Sequence, residues 1–136
     1  MNAEQALAIF DTVRGSLTAE MTFGQVVARL QEIGIERYHA DYCRQEKTFY
    51  LPSGGSLVVT VPWGESQVAA EFSATSVEAA VRQSQRGEHT YAEFIRKTKA
   101  AGCVGYFVLI SGGRALYFGR HGEVHTEWFP GADLQK

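Results

Sequence analysis

Apolar residues at Ala6, Ile9, Phe10, Val13 and Leu17 recur at three- and four-residue spacing, which predicts an amphipathic helix over about 3–17. A second helix begins at Thr22. In Thr22-x-x-Gln25 the hydroxyl can take the N–H three residues on while the amide reaches back, a capping box, with Met21 and Val26 as its hydrophobic staple. Val27 and Leu30 continue the buried face, and Gly34 suits the left-handed position after the helix. From Ile35 the period falls to two, with Tyr38, Ala40 and Tyr42 alternating with His39, Asp41 and Cys43 as a half-buried strand requires. Residues 48–51, the turn Pro52-Ser53-Gly54-Gly55 and residues 56–61 complete a three-stranded antiparallel meander that Pro62 ends.

The second half of the chain reads in the same way. Residues 68–72 suggest a short extra strand, followed by a third helix capped by Thr75 and Glu78 and ended by Gly87. Thr90-x-x-Glu93 opens a fourth helix carrying Tyr91, Phe94 and Ile95, and Gly102 closes it. Residues 103–110 are nearly all apolar and suit a central strand. Turns at Ser111-Gly112-Gly113 and Arg120-His121-Gly122 then separate strands at 114–119 and 123–129, before Pro130.

A shift of 68 positions, half the chain, superposes these elements without a gap. Thr22 meets Thr90, Phe23 meets Tyr91, Gln25 meets Glu93, Gly34 meets Gly102, Tyr38 meets Tyr106, Gly54 meets Gly122 and Pro62 meets Pro130. These are caps, turns and one inward strand position, where backbone geometry restricts the residue. The expectation is a single α+β domain over 1–136, a tandem duplication of a helix-helix-three-strand unit with halves 1–68 and 69–136. Four helices would cover one side of one antiparallel sheet or of two abutting sheets, and the seam between halves would be the natural cleft.

Composition narrows the function classes. A chain of 136 residues with 45% hydrophobic content can bury a core without disulfides or metals. With a net charge of −2 and scattered basic residues, no nucleic-acid partner is expected. The opening Met1-Asn2-Ala3-Glu4-Gln5 has no basic stretch leading into an apolar run, and no segment is apolar enough to span a bilayer. Cys43 and Cys103 lie far apart, which fits reduced thiols. The expected location is cytoplasmic, with no membrane partner and no cofactor.

Polar strand positions gather in two places, 38–42 and 119–127. Glu123, His125 and Glu127 share one strand face by the alternation of side chains, so two carboxylates would flank an imidazole. Such a row can hold the imidazole for proton transfer or bind a cationic or hydroxyl-bearing ligand. It can equally be the solvated face of an outer strand whose charges deter edge pairing. At an offset of 68, Leu57, Val59 and Val61 correspond to His125, Glu127 and Phe129, so an apolar face in one half is ionisable in the other. That exchange needs either exposure to water or a paired setting. His39 and Asp41 also share a face, but no nucleophile accompanies them. A metal site from His39, Cys43, His121 and His125 is disfavoured, because residues four apart on a strand lie roughly 13 Å apart; no metal is expected. The Gly54-Gly55 and Gly112-Gly113 pairs precede no helix and read as hairpin turns, not phosphate cradles.

Tyr38-His39-x-Asp41, Glu46-Lys47-Thr48-Phe49-Tyr50, Gln85-Arg86-Gly87-Glu88, Ala101-Gly102 and Gly119-Arg120-x-Gly122-Glu123-x-His125-x-Glu127-x-Phe129-Pro130 form an ordered set along nearly the whole chain. The set resembles the bacterial family called domain of unknown function 1398, some members of which are labelled phage envelope protein. The resemblance implies no activity, substrate or catalytic residue. An envelope role does not suit a chain without a membrane span or a disulfide framework.

The candidate ligand-binding residues are therefore His39, Asp41, Tyr50, Arg120, His125 and Glu127. The leading expectation is a small binding or regulatory domain that recognises a small molecule or a protein partner. Arg120 would fix an anionic group and His125 and Glu127 would supply directional hydrogen bonds. The alternatives are an enzyme using His125 as general acid or base with Glu127 orienting it, and a homodimer formed through exposed strand edges.

Overall fold

The computed structural model describes residues 1–130. The last six residues of the expected second half lie outside the described residues. Helices α1 (Ala3–Leu17) and α2 (Phe23–Glu32) lead into strands β1 (Arg37–Asp41), β2 (Glu46–Tyr50) and β3 (Ser56–Thr60). Helices α3 (Ala74–Gln85) and α4 (Tyr91–Ala100) lead into β4 (Cys103–Leu109), β5 (Arg114–Gly119) and β6 (Val124–Trp128). The class is α+β, as the hydrophobic periods predict. All strands join one six-stranded antiparallel sheet in the order β3-β2-β1-β4-β5-β6, so the choice between one sheet and two resolves to one.

The helix ends follow the capping chemistry. Thr22 with Gln25 and Thr90 with Glu93 form reciprocal boxes, and Gly34 and Gly102 take positive φ values of 86° and 87° after α2 and α4. Asn2 and Gln5 form a third box that starts α1. Helix α3 departs from expectation: Ser73, not Thr75, is its cap, because the Ser73 hydroxyl accepts the Ser76 N–H. No strand forms at 68–72. The N–H groups of Ala69 and Ser73 instead donate to the Lys99 and Ala101 carbonyls at the end of α4. They satisfy carbonyls that a helix C-terminus leaves free, and no strand lies beside them to pair.

Inward strand positions Tyr38, Ala40, Phe49, Val59, Tyr106, Val108, Ala115 and Tyr117 join Ile9, Val13, Val26, Leu30, Val77, Val81, Phe94 and Ile95 of the helices in one core. The alternate positions, among them His39, Tyr50, Phe107, Leu116 and Phe118, form the opposite face and lie outside that core.

Strand registers repeat between the halves. The Arg37↔Tyr50 pair of β1 and β2 recurs 68 positions on as Gly105↔Phe118 of β4 and β5, and Glu46↔Thr60 recurs as Arg114↔Trp128. The halves join through β1 and β4. There Arg37 faces Leu109, Asp41 faces Gly105, and His39 faces Phe107, its own counterpart at the offset of 68. The pairing is thus its own mirror in sequence, with a local two-fold axis passing between His39 and Phe107.

Candidate functional site

The six residues singled out in the sequence fall in three places. His39, Asp41 and Tyr50 lie on the face opposite the helices. His39 stacks on Phe107 with ring centroids 4.5 Å apart, and burial lowers its pKa from 6.5 while nearby Asp41 opposes that shift. Asp41 is occupied by its own turn, where its Oδ1 accepts the Cys43 and Arg44 N–H groups at 3.1 and 3.2 Å. The Tyr50 ring lies under the Arg37 guanidinium at 4.2 Å. Arg120 stands elsewhere again, donating to the Val68 and Ala69 carbonyls at 2.6 and 3.4 Å. It does not share a cavity with His125 and Glu127, contrary to the cleft expected from the sequence. Its turn ties it to the segment joining the halves.

His125 and Glu127 project from β6 toward α3, the helix packed on that strand. Period two puts both on one side, and β6 is the sheet's edge, so this side lies at the margin of the core. Helical spacing puts Glu78 and Arg82 together on α3, and they meet the strand pair. The Arg82 guanidinium donates to Glu127 Oε2 at 2.9 Å, and His125 Nε2 bonds Glu127 Oε1 at 2.8 Å. Arg82 also lies 4.0 Å from Glu78 Oε1 and bonds Gln85 Oε1 at 3.3 Å. The His125 and Glu127 side chains are 15% and 10% exposed, whereas Arg82 is 43% exposed and carries the network out to water. These residues line a cavity of about 390 Å³ with Trp128 and Phe129. With the Glu127 carboxylate accepting, His125 Nε2 is the donor of this bond, and Nδ1 is the ring nitrogen left to face a ligand.

Glu123 is not the second carboxylate of this group. It turns back on its own hairpin, accepting the His121 N–H at 2.9 Å. The second carboxylate is Glu78, which no strand period could have pointed to.

The other half holds a control for the site. At the offset of 68, Glu78, Arg82, His125 and Glu127 correspond to Phe10, Arg14, Leu57 and Val59. Val59 is buried like Glu127, and Arg14 turns outward to Asp11. The same strand register therefore carries an apolar pair in one half and a hydrogen-bonded ionic network in the other. The fold does not require the polar group.

The family model described as "Protein of unknown function (DUF1398)" matches residues 8–127, from within α1 to Glu127 in β6. The chain belongs to this family. No curated protein matches it.

In this DUF1398 chain the metal-ligating atoms of Glu78, His125 and Glu127 lie within 4.8 Å of one another. An ion there would sit beside the Arg82 guanidinium, which already occupies the cationic position at Glu127. In the structure Glu127 is joined to His125 and Arg82 by hydrogen bonds. The four residues weighed from sequence do not converge. His39 faces away from the helices, Cys43 and His121 are exposed at turns, and only His125 joins the network. Cys103 is buried in β4, where burial pushes its thiol up to about 11, far from a reactive thiolate. Among the described residues no helix is long and apolar enough to cross a membrane.

Proposed function

We propose that this chain is a small-molecule binding domain whose ligand sits between α3 and β6, against His125, Glu127, Arg82 and Glu78. The observation that carries the reading is the exchange of Leu57 and Val59 in one half for His125 and Glu127 in the other, on the same backbone. A buried carboxylate in place of valine costs stability unless it is paired, and even a paired one is seldom better than the apolar residue it replaces. A role in recognition accounts for keeping it. His125 aside, the lining sets two carboxylates against one guanidinium, an excess of one negative charge. It suits a cationic or hydroxyl-bearing ligand, with Nδ1 of His125 and the exposed Glu78 as the groups offered to it.

An enzyme is the second reading, favoured by the 2.8 Å contact that fixes the imidazole against a carboxylate. NMR titration with polyamines, amino sugars and polyols tests both. Binding should shift amides of β6 and α3, and His125→Gln and Glu127→Gln should weaken it about tenfold or more. If none of the three classes moves those amides, or if the variants bind unchanged, the pocket reading fails. Chemical turnover of a bound probe that His125→Gln abolishes would favour the enzyme.

A further inference from the structure

A second cavity lies at the seam between the halves, bounded by the turn after β1, residues 64–68 of the connecting segment, the end of α4 and the turn after β5. Its volume is about 520 Å³. Two of its lining side chains are cations, Lys99 and Arg120, against one carboxylate, the exposed Glu65.

Lys99 is only 2% exposed. Its ammonium donates to the Gly64 carbonyl at 3.2 Å and lies 5.9 Å from the Tyr42 ring. Among the described residues it has no carboxylate partner, and burial lowers its pKa from 10.5. The Lys99 side chain is thus enclosed up to its ammonium, which meets the cavity with one carbonyl bond made and N–H donors left for a further acceptor. Arg120 uses two of its five N–H donors on Val68 and Ala69, which leaves three.

The wall opposite is built at a conformational cost. Gln45 holds a positive φ of 54°, a region that disfavours a side chain by about 1 kcal/mol or more. Its counterpart in the second half is Gly113, at φ 69°, the residue this conformation favours. Gln45 uses its side chain to take the Gly64 N–H at 3.1 Å and its carbonyl to take the Val61 N–H at 2.8 Å. It thereby fixes the connecting segment over Lys99. Lys99 has Gln31 as its counterpart, and Arg120 has Pro52. The Val61 bond recurs in the second half as the Phe129 N–H to the Gly113 carbonyl, but the two cations and the Gln45 side-chain bond are peculiar to the seam.

We infer that the seam cavity binds a small oxyanion, a carboxylate or phosphate group, between the Lys99 ammonium and the Arg120 guanidinium. The inference is independent of the pocket at β6, because the two cavities share no lining residue. The anion takes N–H donors of the Lys99 ammonium and the remaining donors of Arg120 in forked geometry.

The test is an NMR titration of the full chain with inorganic phosphate and, separately, with citrate, at constant ionic strength set by chloride. Saturable shifts at amides 43–45 and 64–68 with either probe are expected, and the stronger probe identifies phosphate or carboxylate as the natural group. Lys99→Met and Arg120→Gln should each weaken that binding tenfold or more, while Lys99→Arg retains part of it. Arg120 is exposed, so its variant reports even if Lys99→Met fails to fold. The inference is overturned if neither probe shifts these amides up to about 10 mM, if the shifts appear at β6 and α3 instead, or if Arg120→Gln binds as the parent does.

Discussion

Replacing Arg82 by methionine leaves the Glu127 carboxylate, 10% exposed, with His125 as its one charged or ionisable partner within bonding distance among the described residues. Removing one member of a fully buried ion pair costs about 3–5 kcal/mol, because the other charge stays behind in a poor solvent. Arg82 is 43% exposed, so water can follow the truncated side chain to the carboxylate, and the cost falls to roughly 1–2 kcal/mol. For a domain of this size that corresponds to a fall in Tm of about 3–8 °C. The counterpart Arg14 pairs with Asp11 where the side chains are 72% and 50% exposed, and Arg14→Met should cost no more than about 0.5 kcal/mol. Urea denaturation of both variants, with and without Glu127→Gln, isolates the pair. In the Glu127→Gln background Arg82→Met should lose most of its effect, a coupling of roughly 1 kcal/mol. Equal costs for Arg82→Met and Arg14→Met, or the same cost of Arg82→Met in both backgrounds, would refute the claim that a buried ionic network holds α3 on β6.

Two further outcomes follow from named residues. The folded state holds His39 neutral against Phe107, so as pH falls below about 6.5 the unfolded chain takes up the proton first and stability declines until the folded pKa is passed. His39→Phe should flatten urea midpoints measured across that window, though not completely, because His89 is also lowered by burial and by Lys97. Gly102→Ala combines φ 87° with a methyl that would land on the Glu71 carbonyl and should cost about 3 kcal/mol or more. Gly122→Ala, at φ 91° with open space around it, should cost only about 1 kcal/mol in the same assay.

Much of the fold is written locally. The caps at Thr22 and Thr90, the glycines that end α2 and α4, and the switch from helical period to period two are short-range signals, and each falls where the structure has it. The stretch at 68–72 misled because Val68, Ala69, Ala70 and Phe72 are apolar enough for a strand, while its actual hydrogen-bond partners, the carbonyls ending α4, lie some thirty positions on. The site divides in the same way. Alternation put His125 and Glu127 on one side, but could not say which side the helices cover. Arg82 comes from 45 positions earlier. Asp41 looked like a partner for His39, yet it closes its own turn, because an aspartate at a strand end finds backbone N–H groups sooner than a neighbouring ring. Lys47 gave no hint of burial, but the alternation of β2 carries it inward, where its ammonium lies 4.8 Å from the Tyr91 ring centroid and 5.2 Å from that of Tyr38.

The join between β1 and β4 has a further consequence for how the chain can go astray. Because β1 and β4 pair in a register that is symmetric about His39 and Phe107, prising them apart would bare two edges that fit each other and also fit the same strands of another molecule. Concentrated refolding thus has a specific competitor, interlocked pairs of chains that trade halves and keep every ladder intact. The geometry that makes one compact sheet in a single molecule also permits it to be assembled from two.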